Sequence, residues 1–152
     1  MTARGRYVSV SVCIVVLTNV APAVASSRAA TPGSYRHEVS LICERMKAAT
    51  NGMGTPSTKA AAVGELGRAI GALRLASERV ARIAAPATMT TTKSAVLKLL
   101  ASETTAETAL QASIRTSSNW RLAVRRSAAK MTRLGDQIDQ GFARLHLSAC
   151  RQ

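Results

Sequence analysis

Aromatic side chains are nearly missing from this chain: one Trp, two Tyr and one Phe make up 3% of its 152 residues. A helical core without rings is filled by Ala, Val, Leu and Ile. Such small side chains let helices approach closely, which favours a tight bundle over a roomy pocket. Acidic residues are scarce too, with 8 Asp and Glu against 21 Lys and Arg. The resulting charge of +13 favours polyanions: nucleic acid inside a cell, or anionic lipid and wall polymer outside one. Catalytic signatures are absent as well. There is no nucleophile elbow, no Gly-rich phosphate loop, no Cys–His pair with a reactive thiol and no Glu-x-x-His motif of the di-metal carboxylate bundles. The expectation is a protein that is not an enzyme and holds neither a metal nor another cofactor.

The most apolar stretch, residues 8–17, follows Arg4 and Arg6 and precedes Pro22 and the small-x-small sequence Ala23-Val24-Ala25. That order is the pattern of a signal peptide spanning residues 1–25. A permanent bilayer span needs roughly 20 apolar residues, about twice what is present. Cys13 lies inside the apolar run and not after a small residue at its end, so it does not read as a lipid attachment site. Removal of the leader takes away two arginines and no acid, leaving +11. The implied place is secreted or cell envelope, with no membrane span remaining after cleavage.

Residues 26–31 read as a linker and residues 32–152 as one helical domain. Thr31-Pro32 supplies an N-cap and a first-turn proline for helix one, whose stripe is Tyr35, Val39, Ile42, Met46 and Ala49. A cluster of breakers at 50–56 stops it. Helix two, about 57–84, carries Val63, Leu66, Ile70, Leu73, Ser77, Val80 and Ala84 at alternating spacings of three and four. Pro86 ends it, and so short a connection makes helix three run antiparallel. Helix three, about 88–116, shows Met89, Val96, Leu99, Leu100, Leu110 and Ile114 on one side. Thr116-Ser117-Ser118-Asn119 offers an end and a new cap, a continuous helix being the alternative. Helix four, about 119–147, has the stripe Trp120, Val124, Ala128, Met131, Gly135, Ile138, Phe142 and Leu145, with Trp120 as a core anchor at its start. The fold expected is all-α: an up-down-up-down four-helix bundle with a short first helix.

Two cysteines, Cys43 and Cys150, remain in the mature chain, and in an exported protein such a pair is expected to form a disulfide. The topology agrees, since helix one starts and helix four ends at the same end of the bundle. Cys43 lies about seven residues before helix one stops, so that helix must be displaced toward the end holding Cys150. The long loop after residue 50 then covers the gap. A Cys2His2 zinc site with His37 and His146 is the competing use of these thiols. Export and the six-residue spacing of His37 from Cys43 argue against it.

These features together resemble a group of small uncharacterised exported helical proteins of actinobacteria. The matching residues are Tyr35 and Ile42-Cys43 in the first helix, Ala85-Pro86 after the second, and the Ala-x-Leu-x-Leu-x-x-Cys ending at Ala143, Leu145, Leu147 and Cys150. Where that group has Gly before the last Leu, this chain has His146. The resemblance implies a paired-cysteine bundle outside the membrane and carries no activity with it.

Two features stand out against this frame. Glu103 and Glu107 project into the middle of helix three's apolar stripe, where an unpaired carboxylate costs several kcal/mol. Ion bridges to Arg74 and Arg125 on flanking helices would satisfy them; a small polar site for a cation or a cationic ligand is the functional reading. The second feature is a basic stripe of Arg126, Lys130, Arg133 and Arg144 opposite the core face of helix four. It is either a solvated surface or a docking face for anionic lipid or wall polymer. Nucleic acid fits less well, because the chain reads as exported and no aromatic residue interleaves the stripe. The function expected is a binding or structural module at the cell envelope using this basic surface. A small-ligand or cation-binding protein built on Glu103 and Glu107 is the alternative.

Overall fold

The computed structural model describes residues 30–151, all helix, turn and loop. The signal peptide expected at 1–25, and residues 26–29 of the linker after it, lie outside the described residues. Four helices follow: α1 Pro32–Thr50, α2 Lys59–Arg82, α3 Ala87–Thr116 and α4 Trp120–Arg144, then a 3-10 turn at Ser148–Cys150.

Local chemistry accounts for most of the boundaries. The Thr31 hydroxyl accepts from the Ser34 amide at 3.1 Å, and the Thr31 amide donates to the Ser34 hydroxyl at 3.2 Å. This reciprocal pair, with Pro32 in the first turn, satisfies amides that a helix start leaves open. Thr58, one residue beyond the expected start, caps α2 through the Ala61 amide. At the other end of α2 the Lys93 ammonium of α3 donates to the carbonyls of Ala81 and Ile83, so a neighbouring helix closes the C-terminus. Asn119 caps α4 through the Leu122 amide at 3.2 Å, which makes α3 and α4 separate helices.

α4 ends three residues earlier than its pattern suggests. His146 takes a left-handed φ of 56°. Its amide donates to the Ala143 carbonyl and the Leu147 amide donates to the Phe142 carbonyl, each at 2.9 Å. This is the Schellman arrangement, and it lets Leu147 turn inward to 1% exposure and brings Cys150 back across α1. An L-residue pays a conformational penalty at such a φ that Gly does not. His146→Gly should therefore raise unfolding stability by about 0.5–1 kcal/mol, read from urea denaturation.

α3 sits between α2 and α4, and α1 packs on α2 and on the C-terminal turn. Cys43 and Cys150 are joined, with their Cα atoms 4.9 Å apart. Arg36 Nε donates to the Leu145 carbonyl at 3.1 Å and Lys47 Nζ to the Arg151 carbonyl at 2.6 Å, holding α1 at that end. Displaced this way, α1 covers only half of the molecule. Around it lies the main core, where Tyr35, Val39 and Ile42 meet Leu73, Val80, Val96, Leu100, Ile138, Phe142 and Leu145.

The other half has three helices and the 51–58 segment, tied to α4 by Arg121 donating to the Ser57 carbonyl. Burial along α4 follows from this. Ile138, Phe142 and Leu145 are buried, whereas Trp120 and Met131 are half-buried and Val124 and Ala128 exposed. Only the C-terminal half of the expected stripe is core, and Trp120 is not a buried anchor: the Arg121 guanidinium lies 4.8 Å from its ring centre. On α2, Ile70, Leu73 and Val80 are buried, with Ala62 and Ala76 beside them. Ala84 falls beyond the helix and is exposed. A straight helix drifts off a seven-residue repeat, which brings Ala76 inward. Ser77 is satisfied within its own helix by the Leu73 carbonyl at 2.8 Å.

The glycines of the helices divide by what lies opposite them. At Gly141 a β-carbon would stand 2.5 Å from Val96 Cγ2, a stiff and buried neighbour, so α3 and α4 touch there because the side chain is missing. Gly67 seats the Gln111 amide, which donates to the Val63 carbonyl at 2.9 Å. Gly64 and Gly71 face open space. Gly141→Ala should cost about 1–3 kcal/mol through overpacking. Gly64→Ala and Gly71→Ala should each add about 0.5–1 kcal/mol of stability, and urea unfolding of the three variants checks both signs.

Candidate functional site

Glu103 and Glu107 lie one turn apart on the inward face of α3, flanking buried Ala106. Glu103 is only 6% exposed, and Glu107 is half-buried. Opposite them α1 runs out. Thr50 closes it by donating its hydroxyl to the Met46 carbonyl at 3.1 Å, and the chain then turns through Gly52 at φ 82°. A helix end and a loop face the carboxyls where a continuing helix would have filled the space. The result is a cleft of about 430 Å³ that is not closed off from solvent. α1 lines it with Met46, Lys47 and Thr50, the loop with Met53, and α2 with Ala69 and Leu73. The tight interior expected from the small side chains is thus interrupted at this point.

The electrostatics are one-sided. Oε2 of Glu103 and Oε2 of Glu107 are both buried without a hydrogen-bond partner. Burial, and then the charge of Glu103, push the Glu107 carboxyl up to about 7. Burial, and then the charge of Asp139 on α4, raise Glu103 above the ordinary carboxylate range. The ion bridges to Arg74 and Arg125 do not form: both arginines are exposed, and the two inner carboxyl oxygens are left unpaired. Arg74 directly follows buried Leu73 and so points off the core face of α2, while Arg125 lies on the uncovered half of α4. Among the described residues Lys47 is the one cation lining the cleft, and its ammonium is bonded to the Arg151 carbonyl.

Three contributors were not visible in the sequence pattern. Asp139 acts on Glu103 from α4, and its only mark is its place beside core residue Ile138. Met46 and Met53 form flexible apolar walls, but Met46 reads as ordinary core and Met53 as loop.

The basic residues Arg126, Lys130, Arg133 and Arg144 are all exposed. At 1.5 Å per residue they extend over about 27 Å of α4. Lys130 and Arg144 border grooves against α3, the first beside Ser102 and Thr105, the second beside Thr91 and Thr92. His37 and His146 are exposed, and the sulfurs of Cys43 and Cys150 are bonded to each other. Among the described residues no cluster of three or more His, Cys, Asp or Glu could hold a metal ion. No described helix is long and apolar enough to cross a membrane.

Comparison with protein-family models, with curated proteins and with solved structures finds no match. The functional reading therefore rests on the geometry of the molecule.

Proposed function

We propose that this chain is an exported binding protein whose cleft between α1, α2 and α3 receives a small organic cation, without chemical transformation of it. One observation carries the reading: two inward carboxyl groups on a 430 Å³ cleft whose inner oxygens have no partner. Buried polar atoms are ordinarily satisfied, and a site that leaves two acceptors open is suited to a ligand bringing donors and positive charge. The apolar walls of Met46, Met53 and Leu73 suit the carbon part of that ligand. Binding without catalysis fits a lining whose Thr50 hydroxyl and Lys47 ammonium are already bonded, to the Met46 and Arg151 carbonyls. The disulfide supports a place outside the cytoplasm, where such bonds persist, as does the leader pattern at 1–25.

Thermal unfolding of the full disulfide-bonded chain with and without millimolar n-hexylammonium tests the reading. The expected result is a rise in Tm of several degrees that is absent in the Glu103→Gln/Glu107→Gln double variant. An equal shift in both proteins, or none in either, would contradict it.

The exposure of all four stripe residues along one face of α4 favours a second, compatible role: retention on anionic envelope material. Retention on anionic vesicles or wall fragments should weaken with salt and with Arg126, Lys130 and Arg133 changed to Gln. Retention indifferent to both would remove this role.

A further inference from the structure

Two carboxyl groups one helical turn apart cannot both ionise cheaply where water is thinned and no cation is bonded to either. Glu103, 6% exposed, and half-buried Glu107 one turn on both line the cleft, and each has one carboxyl oxygen turned away from solvent without a hydrogen-bond partner. Among the described residues no counter-charge is bonded to either inner oxygen. α1 contributes Lys47, whose ammonium is held by the Arg151 carbonyl. α2 contributes only Ala69 and Leu73, and α4 contributes Asp139, a further negative charge acting on Glu103. In such surroundings a proton serves as the counter-ion of the pair.

Resting on the binding role proposed above, we infer that the cleft takes a primary or secondary ammonium ion bearing an apolar chain, and exchanges it for a proton held by the Glu103–Glu107 pair. The ammonium enters with its own protons. The pair's carboxylic acid loses its proton to solvent, and the resulting carboxylate accepts N–H bonds from the ligand. Charge in the cleft is the same before and after.

The chemistry selects against two other cation classes. Calcium takes six to eight oxygen ligands and magnesium a near-ideal octahedron, whereas this lining offers two carboxyls and a Thr50 hydroxyl already bonded to the Met46 carbonyl. A quaternary ammonium is recognised by aromatic faces, and none of the lining residues is aromatic. It also has no N–H to offer the unpartnered oxygens. The flexible thioethers of Met46 and Met53 adapt to alkyl chains of varied shape.

Isothermal titration calorimetry of the full oxidised chain with n-hexylammonium, in buffers of different ionisation enthalpy, tests this. Expected is release of close to one proton per ligand at pH 6, falling toward zero by pH 9, with affinity roughly tenfold weaker at pH 6 than at pH 8. Hexyltrimethylammonium and magnesium should bind at least tenfold more weakly, and Glu107→Gln should abolish most of the proton release. Binding of n-hexylammonium without proton release, or equal binding of its trimethyl counterpart, overturns the exchange and leaves the binding role standing. No binding of n-hexylammonium at any pH overturns both.

Discussion

Removing the disulfide, by Cys43→Ala with Cys150→Ala, should lower unfolding stability by about 4–5 kcal/mol, the chain-entropy value for a loop of 107 residues. For a domain of this size that corresponds to a fall in Tm on the order of 15–25 °C. The effect should also be uneven. α1 keeps the packing of Tyr35, Val39 and Ile42 and the bonds from Arg36 and Lys47, but loses its disulfide tie to the C-terminus. Hydrogen exchange should show α1 amides losing protection before those of α3. Because Met46, Lys47 and Thr50 form one wall of the cleft, ligand-induced stabilisation should weaken in the same variant. Uniform loss of protection across all four helices would contradict the placement of α1 as a displaced, separately anchored helix.

The second large effect is a dependence of stability on pH. The Glu107 carboxyl is raised from 4.5 to about 7, so between those values the folded state binds more protons than the unfolded chain. Its stabilising contribution is complete below about 4.5 and is lost as pH rises through about 7. The full shift would correspond to about 3 kcal/mol; water reaching the cleft screens the pair, and about 1–2 kcal/mol is expected. Glu103, raised in the same direction, adds to the effect. The Glu103→Gln/Glu107→Gln double variant should match the native chain at pH 5 and exceed it by that amount at pH 8, measured by urea unfolding. A constant difference between the two proteins at every pH would contradict the assignment.

The elements most legible from sequence are those set by neighbours along the chain. Thr31-Pro32, Pro86 and Asn119 act on amides and dihedrals within three or four residues, and the helices begin and end within about two residues of where they point, α4's last turn apart. The displacement of α1 was also legible, because the joining of Cys43 to Cys150 fixes the height of one helix against another. Periodicity likewise placed Glu103 and Glu107 on the inward face of α3. What the two carboxyls would meet depends on tertiary structure. Spacing along α2 and α4 does not tell whether Arg74 or Arg125 can turn inward, nor that Asp139 stands behind Glu103. Composition told how closely helices could approach. It did not tell that α1 would stop at Thr50 and leave both a cleft and a half-covered α4. The end of α4 was obscured because His146 adopts a backbone angle that its identity does not announce.

The most direct measurement is a side-chain carboxyl titration of the ligand-free, disulfide-bonded chain by carbon-13 NMR, with Glu103 and Glu107 assigned through their Gln variants. The Glu107 carboxyl should titrate near 7, Glu103 above the ordinary range, and Glu107 should fall by at least one pH unit when n-hexylammonium is added. Both carboxyls titrating as freely hydrated glutamates do, and unmoved by the amine, would show that the cleft holds no uncompensated acid.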